Sequence, residues 1–181
     1  VHAHKNQSAI EAMAVRGIIN GKTDTRFDPD ANMTRAEFAA IVVRALGLPL
    51  QTTSNFTDVK SADWFAVYVG TAYTYKIVNG TSATTFNPNG TITRQDAAVM
   101  VARAAKLCGM DTVVGSAAVR DTLAQFNDYV TSGAYARESL AFCYRSGILD
   151  DSALDIQPKV AIKRCEIAQM LYNLLEQADL L

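Results

Sequence analysis

Three arginines are the residues through which this sequence can be read chemically. Arg35, Arg94 and Arg164 each stand six residues after a proline (Pro29, Pro88, Pro158) and two before an acid (Glu37, Asp96, Glu166). An apolar pattern with helical spacing begins at each, so each arginine falls on the first turn of a predicted helix. There the helix dipole is positive, and a cation is disfavoured by roughly 0.3–1 kcal/mol. Three such placements in register imply a shared task. A guanidinium beside unpaired N–H groups of a helix start makes a corner that binds anions. Alternatively, each arginine pairs with an acid of a neighbouring repeat and holds the units together. The residues alone leave both readings open.

The residues around the arginines spell helix starts. Thr34 suits an N-cap, since its hydroxyl can accept from a first-turn N–H, and Glu37 can bond back to the N–H of Thr34. Thr93 and Asp96 form a shorter version. In the third copy Glu166 can still bond back, but Lys163 stands at the cap position and an ammonium cannot accept. That start is expected to be the weakest, with Arg164 held less firmly than its counterparts.

The elements that must position these residues recur along the chain. Motif 1 covers about residues 1–48, motif 2 about 54–109, an insertion about 110–123, and motif 3 about 124–178. Each is a helix, a loop and a second helix. The second helices carry apolar stripes: Phe38, Ile41, Val42, Ala45 and Leu46 in motif 1, and Ala97, Met100, Val101 and Ala104 in motif 2. Motif 3 has Ile167, Met170, Leu171, Leu174 and Leu175. One unit of this size cannot bury its stripe alone, whereas three can do so together. The expected fold is all-α, with a pseudo-threefold arrangement of three helix–loop–helix motifs around a central three-helix bundle.

Composition narrows the function. Net charge is −1 and the basic residues do not cluster, which argues against a nucleic-acid partner. No apolar run approaches the ~20 residues of a membrane span. The sequence starts mid-pattern, as a mature segment or an excised piece would. Cys108, Cys143 and Cys165 lack a C-x-x-C spacing and read as buried thiols. No cofactor motif and no enzyme signature is present. Asp28-Pro29-Asp30-Ala31-Asn32 alternates acids as a calcium loop does, but Met33 and Ala39 stand where glycine and glutamate are required. His2 and His4 do not form a metal motif, so no metal is expected.

Taken together, Phe56-Thr57-Asp58-Val59, Trp64, Ile77-Val78-Asn79-Gly80, Phe86-Asn87-Pro88 and Ile92-Thr93-Arg94 resemble a surface-layer homology motif. Asn32-Met33-Thr34-Arg35-Ala36-Glu37 carries the family's Thr-Arg-Ala-Glu signature, and the resemblance covers nearly the whole chain. It implies an extracellular, non-enzymatic module of the bacterial cell wall or S-layer. Such a module is a monomeric part of a larger surface protein. It would bind a peptidoglycan-linked secondary polysaccharide, often through a pyruvylated N-acetylmannosamine terminus. The alternative is an assembly module that binds protein. By resemblance the ligand-binding positions are Arg35, Arg94, Arg164, Gly21, Gly80, Asp58, Asp128, Trp64 and Tyr135, in grooves between motifs. Several also have a plainer reading. Trp64 could be a core anchor, Gly21 and Gly80 could serve turns with positive φ, and Asp58 and Asp128 could cap the helices that follow them. Motif 1 lacks the Phe-x-Asp-Val opening and has Lys5 where Trp64 and Tyr135 stand. Motif 3 departs at Asp150-Asp151, Ile156 and Lys163, so its groove is expected to bind worst.

Overall fold

The computed structural model describes residues 1–52 and 55–181, and the motif boundary placed at about residue 54 lies outside them. The helices are α1 (Gln7–Val15), α2 (Arg35–Ala45), α3 (Ala66–Thr74), α4 (Arg94–Leu107), α5 (Ser116–Leu123), α6 (Ala134–Arg145) and α7 (Arg164–Gln177). A 3-10 turn at Tyr129–Thr131 precedes α6. Among the described residues there is no β-strand, only isolated bridges, so the fold is all-α. No helix of the described residues is long and apolar enough to cross a membrane.

The long helices α2, α4 and α7 begin at the three arginines. Thr34 Oγ1 accepts from Glu37 N, and Glu37 Oε2 accepts from Thr34 N, both at 3.2 Å. Thr93 Oγ1 accepts from Asp96 N. At the third start only the return bond exists, from Lys163 N to Glu166 Oε2 at 2.9 Å. The preceding helix of each unit ends at a residue with positive φ: Gly17 (68°), Lys76 (60°) and Gly147 (74°). Glycine takes that conformation without a Cβ penalty, and Lys76 adopts it within the same turn.

Packing links each long helix to the first helix of the following unit. α2 lies against α3, α4 against α6, and α7 against α1, while α7 also touches α2 and α4. The predicted single stripe is therefore too narrow. α2 buries Ala36, Ala39, Ala40 and Val43 as well as Phe38, Ile41 and Val42, because neighbours cover it on more than one side. Small residues such as Ala97, Ala98, Ala104 and Ala105 on α4 allow this close approach. The insertion contains α5, which packs on α6 and buries Leu123.

The segments entering the long helices bridge one another, Thr34 with Thr91, Thr93 with Ala161, and Asn32 with Lys163. Each arginine's own N–H then donates at 2.9 Å to the next unit's turn: Arg35 to Gly90, Arg94 to Val160, and Arg164 to Ala31. The following N–H groups donate to the proline carbonyls. Ala36 bonds Pro88, Gln95 bonds Pro158, and Cys165 bonds Pro29, again at 2.9 Å. The order is cyclic, and the last unit closes onto the first.

Candidate functional site

These bonds bear directly on the arginine corners. An anion at a helix start needs free N–H groups. Here the first two are taken by carbonyls of the next unit, and at α2 and α4 the third is taken by the capping threonine. The expectation of unpaired N–H groups beside each guanidinium is thus corrected.

The guanidinium groups bridge units. Arg35 Nε donates to Phe86 O at 2.7 Å and a terminal nitrogen to Asn79 O at 2.6 Å, with the group 4.6 Å from the Phe86 ring centroid. Arg164 repeats this with Phe27 O at 3.1 Å, Asn20 O at 2.7 Å and the Phe27 ring at 4.7 Å. Arg94 donates to Ile156 O at 2.9 Å, where the isoleucine offers no ring to stack on. Two of the three also pair with an acid: Arg94 with Glu166, and Arg164 with Glu37 at 3.1 Å. Among the described residues Arg35 has no ion pair; burial pulls its pKa down, against the field of Asp96 and Asp58.

The expectation that Arg164 is held less firmly than its counterparts is overturned by this cyclic order. Arg164 reaches the turn of motif 1, and only 3% of it is exposed, so it is firmly held despite Lys163. Lys163 itself pairs with Asp30 at 3.3 Å. The corner that contains Ile156 receives Arg94, and Asp150 and Asp151 do not pair with Arg164.

Neither Asp58 nor Asp128 caps the helix that follows it. Asp58 accepts from Phe86 N at 2.9 Å and Asn87 N at 2.7 Å, and Asp128 accepts from Ile156 N and Gln157 N, both at 2.8 Å. They are clamps on a turn within their own unit, not caps of the next helix. Their use is set by Asn87 and Gln157, which have φ of 57° and 53° and present consecutive N–H groups to one carboxylate. Burial opposes ionisation of Asp58, but the backbone donors prevail and hold its pKa below 3.8.

The positive-φ reading of Gly21 and Gly80 is also corrected. Neither has positive φ. A Cβ on Gly21 would collide with the carbonyl oxygens of Thr23 and Arg26, and one on Gly80 with those of Ser82 and Thr85 and the Phe56 ring. Glycine is needed because the loop folds back onto its own backbone.

A groove of about 280 Å³ runs along α2, lined by Asn20, Gly21, Lys22, Glu37, Ala40, Ile41, Arg44, Trp64 and Arg164. It draws on all three units and brings together Gly21, Trp64 and Arg164 from the residues singled out in the sequence. Trp64 is 58% exposed, so it forms a wall and is not a core anchor. Its indole meets Phe65 edge-on with centroids 5.5 Å apart. Glu37 receives Lys22 as well as Arg164. Arg44 lies over the Tyr68 ring at 4.7 Å, and one of its nitrogens is 3.3 Å from the Tyr68 hydroxyl.

The other predicted positions lie apart from this groove. Tyr135, 63% exposed, donates its hydroxyl to Asp96 and accepts from Gln95 Nε2 at 3.1 Å. Loss of water contact and the Asp96 carboxylate push its pKa up to about 12. It is tethered to the start of α4, unlike Trp64. Sequence reasoning passed over Lys22 and Arg44. A signal for Arg44 existed, since Arg103 stands at the same distance after Arg94 as Arg44 does after Arg35. His4, Asp30 and Cys165 also lie together, but His4 Nδ1 accepts from Asn6 N, which leaves the ring proton on Nε2 facing Asp30. The Asp30 carboxylate there also pairs with Lys163 at 3.3 Å.

Comparison with known proteins gives this geometry a family. Residues 1–39 and 55–98 match the S-layer homology domain. An amylopullulanase of Thermoanaerobacterium thermosulfurigenes is 32% identical over 174 residues, which is 95% of this chain and 9% of the relative. The exoglucanase XynX of Acetivibrio thermocellus is 30% identical over 177 residues, 96% of this chain and 16% of that protein. A surface-layer 125 kDa protein of Lysinibacillus sphaericus is 28% identical over 177 residues, 96% of this chain and 14% of its own length. The chain therefore spans at most 16% of any of these three relatives. With the motif matched twice and relatives aligned along almost its whole length, the chain belongs to the S-layer homology domain family.

Proposed function

We propose that this chain anchors a larger surface protein to the bacterial cell wall by holding the end of an anionic, peptidoglycan-linked polysaccharide in the groove along α2. The chain acts as a binding module and not as a catalyst. The observation that carries this reading is the lining of that groove. It holds three cations (Lys22, Arg44, Arg164) against one acid (Glu37), beside an exposed tryptophan. An excess of positive charge within a protein of net charge −1 favours an acidic ligand, and an indole face suits the apolar face of a sugar ring. At about 280 Å³ the groove is at or below the range of roughly 300–1,000 Å³ typical for drug-sized ligands, so it suits one terminal sugar, not a long segment. A terminal N-acetylmannosamine bearing a pyruvate ketal has this size and supplies a carboxylate. Family membership and the cell-surface relatives place the module outside the cell, at the wall.

The test is co-sedimentation with purified wall sacculi before and after chemical removal of the secondary polymer. The expected result is capture by intact sacculi alone, and loss of most capture for Trp64→Ala with an unchanged melting profile. Equal capture by stripped sacculi, or by the Trp64→Ala protein, would refute the glycan reading and favour a protein–protein assembly role.

A further inference from the structure

Within that groove the cations are not equivalent. Arg164 is enclosed and already donates to Phe27 O, Asn20 O and Glu37. Arg44 lies over the Tyr68 ring. Lys22 differs: its side chain is 37% exposed at the rim, and the described structure gives its ammonium one partner, Glu37. An ammonium carries three donors, so two remain for a ligand. Its backbone is nevertheless fixed. Lys22 N donates to Arg26 O at 2.7 Å, and Gly21 beside it permits the loop to fold back.

The same turn in motif 2 places Thr81 there, with Thr81 N donating to Thr85 O at 2.8 Å. In motif 3 the loop is one residue shorter, since Gly17 to Asp28 and Lys76 to Asn87 are both eleven steps whereas Gly147 to Gln157 is ten. That turn carries Asp150 and Asp151. A cation at this position is thus particular to the groove that Trp64 walls. Glu37 cannot neutralise both Arg164 and Lys22, so the corner keeps one positive charge in excess, and its accessible member is Lys22.

We infer that Lys22 is the specificity-determining contact of this groove: its rim ammonium swings between Glu37 and the ligand's carboxylate and selects acidic over neutral sugar ends. The inference rests on the glycan-binding reading above and adds to it the residue that reads the charge. Rim charges act mainly on association rate and salt dependence, whereas enclosed pairs act on dissociation. Lys22 should therefore govern how fast an acidic end is captured.

The test uses the full chain and a pyruvylated disaccharide, with its methyl ester as the uncharged control, by calorimetry and stopped-flow fluorescence of Trp64. Lys22→Thr installs the residue that motif 2 already accommodates in this turn, so the fold is retained. Its affinity for the acid should fall about tenfold, the lower end of a charge-assisted hydrogen bond, mostly through slower association. Its affinity for the methyl ester should be unchanged, its salt dependence should shrink, and Lys22→Arg should keep most of the binding. In a Glu37→Gln background Lys22→Thr should still weaken acid binding severalfold. If that loss vanishes, Lys22 merely screens Glu37 and the contact is refuted. If Lys22→Thr binds the acid like the parent while Trp64→Ala does not bind, the Lys22 assignment falls and the groove stands. If the parent fails to bind the disaccharide, or Trp64→Ala binds it equally, the groove reading falls and this inference falls with it.

Discussion

Asp58 shows how a single side chain sets the geometry on which a corner depends. Its two oxygens hold Phe86 N and Asn87 N, and the carbonyl of Phe86 is in turn an acceptor for Arg35. The aspartate thereby positions the surface that receives the neighbouring unit's guanidinium. Burial works against its ionisation, yet the backbone donors keep its pKa below 3.8. A carboxyl whose folded pKa is depressed contributes stability above its unfolded value. That contribution is lost as pH falls through the folded value. The melting temperature of the parent should therefore drop on acidification below about pH 4, and part of the drop should be absent in Asp58→Asn. At neutral pH that variant should be less stable by about 1–2 kcal/mol, because an amide oxygen accepts less strongly and its NH₂ faces a second N–H. Chemical denaturation at pH 7 and thermal scans from pH 2 to 7 measure both. Identical acid profiles for the two proteins would remove Asp58 from this role.

The helix starts are the elements in which sequence and structure can be compared most closely. Thr34 and Thr93 accept from the N–H groups of Glu37 and Asp96, so Thr34→Ala and Thr93→Ala should each cost about 1 kcal/mol. Lys163 makes no such bond, and Lys163→Thr should stabilise the protein, since its exposed pair with Asp30 is too well screened to offset a cap. Urea titrations of the three variants test this, and a destabilised Lys163→Thr would show that the pair with Asp30 matters more. These starts were legible because a cap is local, with donor and acceptor three residues apart. The all-α class was legible for the same reason, from apolar spacing within each helix. What was not legible was directional and non-local. Nothing in the spacing of Arg164 says that it reaches Asn20 and Phe27, so the motif 3 departures were assigned to the wrong arginine. The clamps of Asp58 and Asp128 span 28 and 29 residues and depend on positive φ at Asn87 and Gln157, of which only the asparagine is a residue type that favours it. Lys22 joins the groove because a loop folds back over Gly21 and places it beside Glu37, fifteen residues away.

At the scale of the whole molecule, each long helix is covered by helices of other units and ends its first two N–H groups on another unit's turn. α2 is covered by α3 and α7, and its first N–H groups end on Gly90 and Pro88. α7 rests on α1, and Arg164 ends on carbonyls near the start of the chain. A segment comprising residues 1–50 would thus expose Phe38, Ile41 and Val42, strand its helix start, and leave Asn20 O and Phe27 O without their donor. The larger side chains buried on α2 (Phe38, Ile41, Val42, Val43) are worth about 1.5–3 kcal/mol each when fully covered, while ordering each residue costs a comparable amount, so a lone unit has no surplus. Residues 1–50 should show no cooperative melt as a monomer. The intact chain should unfold in a single transition, because loss of one unit removes the partners of both others. Leu171, fully buried on α7, should then report on the whole domain. Leu171→Ala should lower stability by about 2–5 kcal/mol, and circular dichroism and Trp64 fluorescence should follow the same shifted curve although Trp64 lies in motif 2. Two separated transitions in that variant, with Trp64 unaffected by the first, would mean that the units fold independently.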